Sequence, residues 1–206
     1  MCGRFCIAAS PGDIETRFGV SVPPEYRPRY NIAPGQMILA VTGSSSHMVE
    51  WGLHTGGVKR VINTRVESAH EHPVLKELFT SHRCLIPASG YYEWKQERVR
   101  CVPYYFSSKS DPLFALAGLL RHCSSGCEAV ILTTGAMPPY SEVHNRMPVL
   151  ISLSDRRGYL SGGDIPPSIG LQMYQVSSRV NQVANDDPSL IEPVNPGSEQ
   201  IRLDTD

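Results

Sequence analysis

The residue with the greatest chemical reach in this chain is the second. Loss of Met1, favoured when a small residue follows it, leaves Cys2 with an α-amine and a thiol on adjacent carbons. Their reference pKa values, roughly 7.7–8.0 and 8.5, keep both partly nucleophilic near neutrality. Such a 1,2-aminothiol meets an aldehyde twice: the amine forms a Schiff base, and the sulfur then closes onto the same carbon as a five-membered thiazolidine. Because both nucleophiles belong to one residue, ring closure carries an effective molarity on the order of 10⁵ M in good geometry. Position alone leaves a second reading open, that of an ordinary cysteine on a frayed terminus.

Seven blocks along the chain decide between them. They are Met1-Cys2-Gly3-Arg4-Phe5, Arg29-Tyr30-Asn31-Ile32-Ala33-Pro34-Gly35, Trp51-Gly52-Leu53 and Ile62-Asn63-Thr64-Arg65-Val66-Glu67-Ser68, followed by three more. Those are Arg83-Cys84-Leu85-Ile86-Pro87-Ala88-Ser89-Gly90-Tyr91-Tyr92-Glu93-Trp94, His144-Asn145-Arg146-Met147-Pro148-Val149 and Ser178-Arg179-Val180-Asn181. In content and order they resemble the SRAP (SOS-response-associated peptidase) family, the abasic-site processing proteins. The resemblance implies an α/β fold with a β-rich centre and a positively charged channel for single-stranded DNA. It also implies an enzyme without cofactor that captures abasic sites covalently through a thiazolidine on Cys2, with autopeptidase removal of Met1 and a possible lyase step. Departures are mild: Thr64, Ser68, Tyr91 and Asn145 stand where the family more often has Ala, Thr, Phe or Trp, and Asp. The His54–Lys59 loop is shorter than usual, which bears on the choice among single-stranded and junction DNA.

On that resemblance the catalytic set is Cys2, Asn63, Glu93 and His144. Asn63 offers two donors and an acceptor to hold the amine and the sugar in register. Glu93 sits in a strand with Tyr92 and Trp94 on the opposite face and Tyr91 beside it. A carboxylate in such partly apolar surroundings has a raised pKa suited to proton transfer; the alternative is an exposed strand glutamate. His144 offers a ring N–H that could donate to the sugar ring oxygen, the alternative being a structural histidine. For DNA, Arg4, Arg65 and Arg146 suit phosphates, with Arg4 expected on the same strand face as Cys2. Trp51 and Trp94, the two tryptophans, are candidates to stack on bases, with core packing, the commoner fate of a Trp next to Gly, as the alternative, and Pro34 is a candidate to shape the channel.

The elements that must position these groups are short. Residues 2–8 alternate as a half-buried strand. Ser10-Pro11-Gly12-Asp13 reads as a capping box opening a helix to about Phe18. Prolines 23, 24, 28 and 34 make Arg29–Gly35 a loop or irregular extended segment. Hairpins are expected at 36–52, around Gly43–Ser46, and at 83–95. Further strands fall at 61–65, 102–106, 113–120, 129–134 and 171–177. Helices are expected at 73–80 and 154–160, with a helical turn at 141–144. Strands in succession with a few short helices imply one α+β, β-rich domain over residues 1–206, built on a curved antiparallel or mixed sheet, with a frayed tail after about residue 193.

Composition sets the outer limits. With 206 residues, 19 Lys+Arg against 20 Asp+Glu and a net charge of −1, bulk positive potential is excluded as a mode of nucleic-acid binding. A DNA site must be a local arginine cluster. No apolar run approaches the ~18–20 residues of a membrane helix, and no secretory signal opens the chain, so a cytoplasmic or nucleoid-associated monomer is expected. The six cysteines lack zinc-knuckle spacing, and His70-Glu71-His72 reads as solvated polar chain, so no metal is expected. Two other classes compete. An N-terminal-nucleophile amidohydrolase would also use Cys2, but the chain lacks the Asn-Gly segment such glutaminases carry. A non-covalent single-strand-binding module would need only the arginines and tryptophans.

Overall fold

A computed structural model describes residues 2–54, 60–124, 126–166 and 169–194. In chain order its elements are β1 (Phe5–Ile7), α1 (Pro11–Phe18), β2 (Arg29–Ile32), β3 (Met37–Thr42), β4 (Ser45–Trp51), β5 (Asn63–Arg65), α2 (Pro73–Ser81), β6 (Arg83–Ala88) and β7 (Gly90–Gln96). There follow β8 (Cys101–Ser108), β9 (Phe114–Cys123), β10 (Gly126–Gly135), β11 (Arg146–Pro148), β12 (Leu150–Ile151), α3 (Arg156–Leu160) and β13 (Leu171–Gln175). Four short 3₁₀ turns punctuate the loops among the described residues.

The strands form two sheets. One runs β13-β8-β7-β1-β2 and is antiparallel throughout. In the other, β10-β4-β3-β6-β9 closes into a small barrel through the β9–β10 pair, flanked by β5, β11 and β12. This second sheet is mixed, because β4 and β5 run parallel to β10. The fold is therefore α+β and β-rich, with a curved mixed sheet, as the order of elements implies. The run Phe114–Leu120 on β9 is apolar at every position and buried throughout, the pattern of a strand covered on both faces.

Alternation along the five-stranded sheet divides two cores. Phe5, Ile7 and Tyr91 enter the main core with Trp51 and the barrel strands. Cys6, Tyr92 and Tyr105 enter a smaller core covered by Val176, Val180 and Leu190 from the C-terminal segment. Asn31, fully buried on β2, fastens that segment: its amide donates to the Gln182 carbonyl at 3.0 Å and the Asn185 carbonyl at 2.7 Å. Its Oδ1 accepts from Arg4 at 2.7 Å. A side-chain amide with every polar atom satisfied gives a buried position rigidity at little cost.

The helix over Pro11–Phe18 starts on the expected capping box, with Ser10 and Asp13 bonded reciprocally, and ends at Gly19 in the left-handed conformation. The β3–β4 hairpin also forms. Three expectations fail for identifiable reasons. First, Arg29–Ile32 is a strand rather than a loop: β2 is the sheet edge, where flanking prolines are tolerated. Second, β6 and β7 do not pair as a hairpin but part into different sheets, β6 with β3 and β9, β7 with β1 and β8. Ser89 is the corner, its N–H donating to the Cys6 carbonyl at 2.8 Å and its Oγ accepting from Ala8 N–H at 3.0 Å. Third, the first strand begins at Phe5, so its alternation does not extend back to Cys2. The tail from residue 195 and the loop at 55–59 lie outside the described residues.

Gly90 is where the chain changes sheets, and it permits β8 to approach closely. A Cβ there would lie 2.5 Å from the Phe106 carbonyl oxygen and closer still to the Tyr105 ring. Since the nearest backbone cannot retreat without breaking the β7–β8 ladder, Gly90→Ala is expected to destabilise the protein by about 2–3 kcal/mol. Denaturant melts with an unchanged m-value would record it.

Candidate functional site at the junction of the two sheets

The site assembles where the chain start meets both sheets. Cys2 is 0% exposed and packs in the main core beside Phe5. Its backbone carbonyl accepts from Asn63 Nδ2 at 2.7 Å, which ties the chain start to β5. The other end of that amide, Asn63 Oδ1, is buried with no hydrogen-bond partner among the described residues. β5 reaches this place because it lies parallel to β10, Asn63 opposite Ile131 and Arg65 opposite Thr133. Thr64 points into the core between them, so Asn63 and Arg65 share the other face. The Arg65 side chain is exposed and makes no hydrogen bond or ion pair with any described residue.

Glu93 comes from β7. It is 4% exposed, which disposes of the exposed-glutamate alternative. Tyr92 and Trp94 belong to the small core, so Glu93 faces the main core together with Tyr91 and Cys2. Burial raises its carboxyl pKa above the ordinary value, and the nearby His144 opposes that rise. Burial likewise pushes the Cys2 thiol up, and the Glu93 carboxylate adds to the effect. Two neighbouring acids in a dry pocket do not both ionise readily, so proton exchange between them is coupled.

His144 lies between the 3₁₀ turn Tyr140–Glu142 and β11. Its Nδ1 accepts from the Arg146 N–H at 3.0 Å and lies 3.2 Å from the Arg146 carbonyl oxygen. A neutral ring accepts from the first and keeps its proton on Nε2; a charged ring donates to the second. Protonation of Nδ1 thus exchanges the bond from the Arg146 N–H for one to its carbonyl.

The four candidate catalytic residues come together, but the DNA-binding candidates divide. Trp51 is 0% exposed, packed edge-on against Phe5 with its Nε1 donating to the Ile62 carbonyl at 3.0 Å, so it has no face to offer a base. Its neighbour Gly52 carries the chain out of β4 at a positive φ of 127°. Arg4 is not on the face of Cys2. It turns to the small core's side, donating to Asn31 Oδ1 and to the Val180 carbonyl, both at 2.7 Å, over the Trp94 ring. The reason is the late start of β1. Arg146 is engaged too: its guanidinium forks onto Glu67, both bonds 2.9 Å, and reaches the Thr133 carbonyl at 2.6 Å. The Arg146 bonds hold the Glu67 carboxyl below its usual range. Trp94 remains half-buried, with Nε1 donating to Asn181 at 2.8 Å, and Pro34 is exposed.

Sequence reasoning assigned no task to Asn31, which lies within the Arg29–Gly35 block and organises the C-terminal segment. It also passed over Glu50, His54 and Glu128, whose ligand atoms lie within 4.8 Å of one another. Other side chains already engage these carboxylates: Glu50 pairs with Arg60, and Glu128 with Arg121 and the His54 ring. Burial alone would raise Glu128, yet these bonds hold it down to about 2. His70, Glu71 and His72 are exposed and belong to no such group among the described residues. No helix among the described residues is long and apolar enough to cross a membrane.

The chain is similar to known proteins in sequence and in fold. The sequence model described as "SOS response associated peptidase (SRAP)" matches residues 1–183. The chain is similar to the abasic site processing protein YoqW of Bacillus subtilis, 32% identical over 93% of this chain and 99% of that protein. It is similar to YedK of Escherichia coli, also called an abasic site processing protein, at 29% identity over 94% of this chain and 100% of that one. A crystal structure of a protein from Bacteroides thetaiotaomicron shares the fold, with a TM-score of 0.83 at 19% identity over 94% of this chain and all of the other.

Proposed function

The chain belongs to the SOS response associated peptidase (SRAP) family, and on that premise we propose that it processes abasic sites in single-stranded DNA by covalent capture at Cys2. Loss of Met1 exposes the amine. The ring-opened deoxyribose presents its C1′ aldehyde, and the amine condenses with it, releasing water. Attack by the amine comes first, because burial keeps the thiol protonated. As the sulfur attacks the iminium carbon, the C=N pair collapses onto nitrogen and the thiol proton passes to the Glu93 carboxylate. His144 protonates the sugar oxygen as the ring opens. The resulting thiazolidine protects the damaged strand from cleavage.

The observation that carries this reading is the Asn63 amide. One end holds the Cys2 carbonyl at 2.7 Å, and the other is a buried acceptor with no partner among the described residues. An unmatched buried acceptor costs about 1–3 kcal/mol, so its retention beside a nucleophile favours a role in binding a substrate donor. The Cys2 amine and the sugar hydroxyl are such donors.

Arg65, sharing a face with Asn63 and unpaired among the described residues, is the phosphate contact best placed beside the lesion. Pro34 and Trp94 line the route, with Arg4 and Arg146 positioning rather than binding. Arg65→Ala is expected to weaken binding of undamaged single strands uniformly and to reduce the salt slope of log K by roughly 0.7. Titrations at three salt concentrations would check it.

The reading is tested with a single-stranded oligonucleotide carrying one true abasic site, against the same strand with a tetrahydrofuran analogue that has no aldehyde. A denaturation-resistant adduct with the first and none with the second is expected. Equal adducts with both, or none with either, would overturn it.

A further inference from the structure

Glu67, the partner of Arg146, has no part in the steps above. It lies in the 3₁₀ turn Val66–Ser68, which follows β5 without a break. Its two carboxylate oxygens each accept from one terminal nitrogen of Arg146 at 2.9 Å. The same guanidinium donates to the Thr133 carbonyl at 2.6 Å and to the Thr133 hydroxyl at 3.2 Å. That hydroxyl, fully buried on β10, donates in turn to the Thr64 carbonyl of β5 at 3.3 Å. An isolated ion pair on a surface contributes little. This one is different: the Arg146 side chain is only 15% exposed, and two parallel bonds fix its direction as well as its charge.

The fork joins two parts of the site. Arg146 opens β11, a strand of three residues, and pairs with Gly135 at the end of β10. The first residue of so short a ladder frays easily unless its side chain is anchored. His144 depends on that residue, because the Arg146 N–H donates to its Nδ1 at 3.0 Å and the Arg146 carbonyl lies 3.2 Å from the same nitrogen. One residue therefore engages Nδ1 in either protonation state, and Nε2 carries a proton in both. On the other side, β5 brings Asn63, whose Nδ2 holds the Cys2 carbonyl at 2.7 Å. The segment that seats the nucleophile is thus tied, through Glu67, to the segment that orients the imidazole.

We propose that Glu67 is a positioning residue for opening of the sugar ring: by fixing Arg146, it holds His144 with Nε2 toward the ring oxygen. The inference rests on the covalent-capture reading and adds a residue to it. In the step served, the C1′–O4′ bond breaks with its electron pair on O4′, which takes the Nε2 proton of the charged imidazole. The C1′ hydroxyl proton passes to water as the carbonyl forms. The ring, now neutral, keeps its other proton on the Arg146 carbonyl. Because the Arg146 bonds hold the Glu67 carboxyl below its usual range, the fork is ionised at neutral pH.

The Glu67 side chain is 52% exposed, so Glu67→Ala is expected to fold. With abasic single-stranded oligonucleotide its maximal rate of adduct formation is expected to fall on the order of ten-fold, the half-saturating DNA concentration being unchanged. A strand carrying an acyclic aldehyde in place of the abasic sugar has no ring to open and is expected to react at the wild-type rate. Nitrogen-15 spectra are expected to show the neutral His144 ring protonated on Nε2 in the wild type and a mixture of tautomers in the variant. A wild-type rate with the abasic strand overturns the proposal and leaves covalent capture standing. Equal slowing with both aldehydes overturns it too, since Glu67 would then be structural. Tighter DNA binding with an undiminished rate also overturns it, since Glu67 would then only mask Arg146 from a phosphate. If the wild-type protein forms no adduct with either aldehyde, covalent capture fails and this inference with it.

Discussion

Replacing Cys2 with alanine is expected to eliminate the denaturation-resistant adduct with abasic DNA, by roughly 10³-fold or more, while non-covalent affinity for the same strand changes little. The expectation follows from the division of labour within one residue. After loss of Met1 an alanine still presents an α-amine, so an imine still forms and borohydride still traps it. What disappears is the sulfur that turns a reversible imine into a ring. The substitution leaves Arg65 on β5 in place, so the phosphate contact proposed for the strand is retained. An adduct from Cys2→Ala that survives boiling without borohydride would exclude the thiazolidine.

The second large effect belongs to Glu93. Glu93→Gln preserves shape and removes the group proposed to accept the thiol proton. Loss of a positioned acid–base group typically lowers the rate by 10²–10⁴-fold, and closure and reversal are expected to fall within about that range with DNA affinity retained. The same substitution has a signature in stability. Burial raises the folded-state pKa of Glu93 above the unfolded value of about 4.3. The folded protein therefore binds this proton more tightly than the unfolded chain does. The associated stability is fully present below about pH 4 and is lost as pH rises through the folded pKa. At pH 7 the wild-type protein carries the cost of a buried charge that glutamine does not. Glu93→Gln is thus expected to melt at a higher temperature than wild type at pH 7, with the difference vanishing toward pH 4. A variant less stable than wild type at pH 7 would mean that Glu93 is held by its surroundings rather than strained by them, and a parallel loss of DNA affinity would make it structural.

Local signals survived folding where the chemistry is local. The capping box at Ser10–Asp13 and the hairpin around Gly43 depend on residues a few positions apart, and both formed. The β6–β7 hairpin failed because a short connection between two strands says nothing about which sheet each joins; the close approach at Gly90 decides that, through Tyr105 and Phe106 far along the chain. The candidate site was legible in part. The blocks named Cys2, Asn63, Glu93 and His144, which the fold brings together, and alternation alone put Glu93 opposite Tyr92 and Trp94. Alternation misled at Arg4, since the ladder starts only at Phe5. Trp51 misled differently: a tryptophan before glycine looks the same whether it stacks on a base or, as here, fills a barrel. The ion pair of Arg146 with Glu67 joins residues 79 positions apart, a contact that spacing along a chain does not encode.

The measurement that bears most directly on covalent capture is the intact mass of the purified chain, alone and after incubation with abasic single-stranded oligonucleotide. The account predicts a chain lighter by one methionine and, with the oligonucleotide, a denaturation-resistant species whose mass is the sum of the two less one water. A chain that keeps Met1 throughout and gains no oligonucleotide would contradict it.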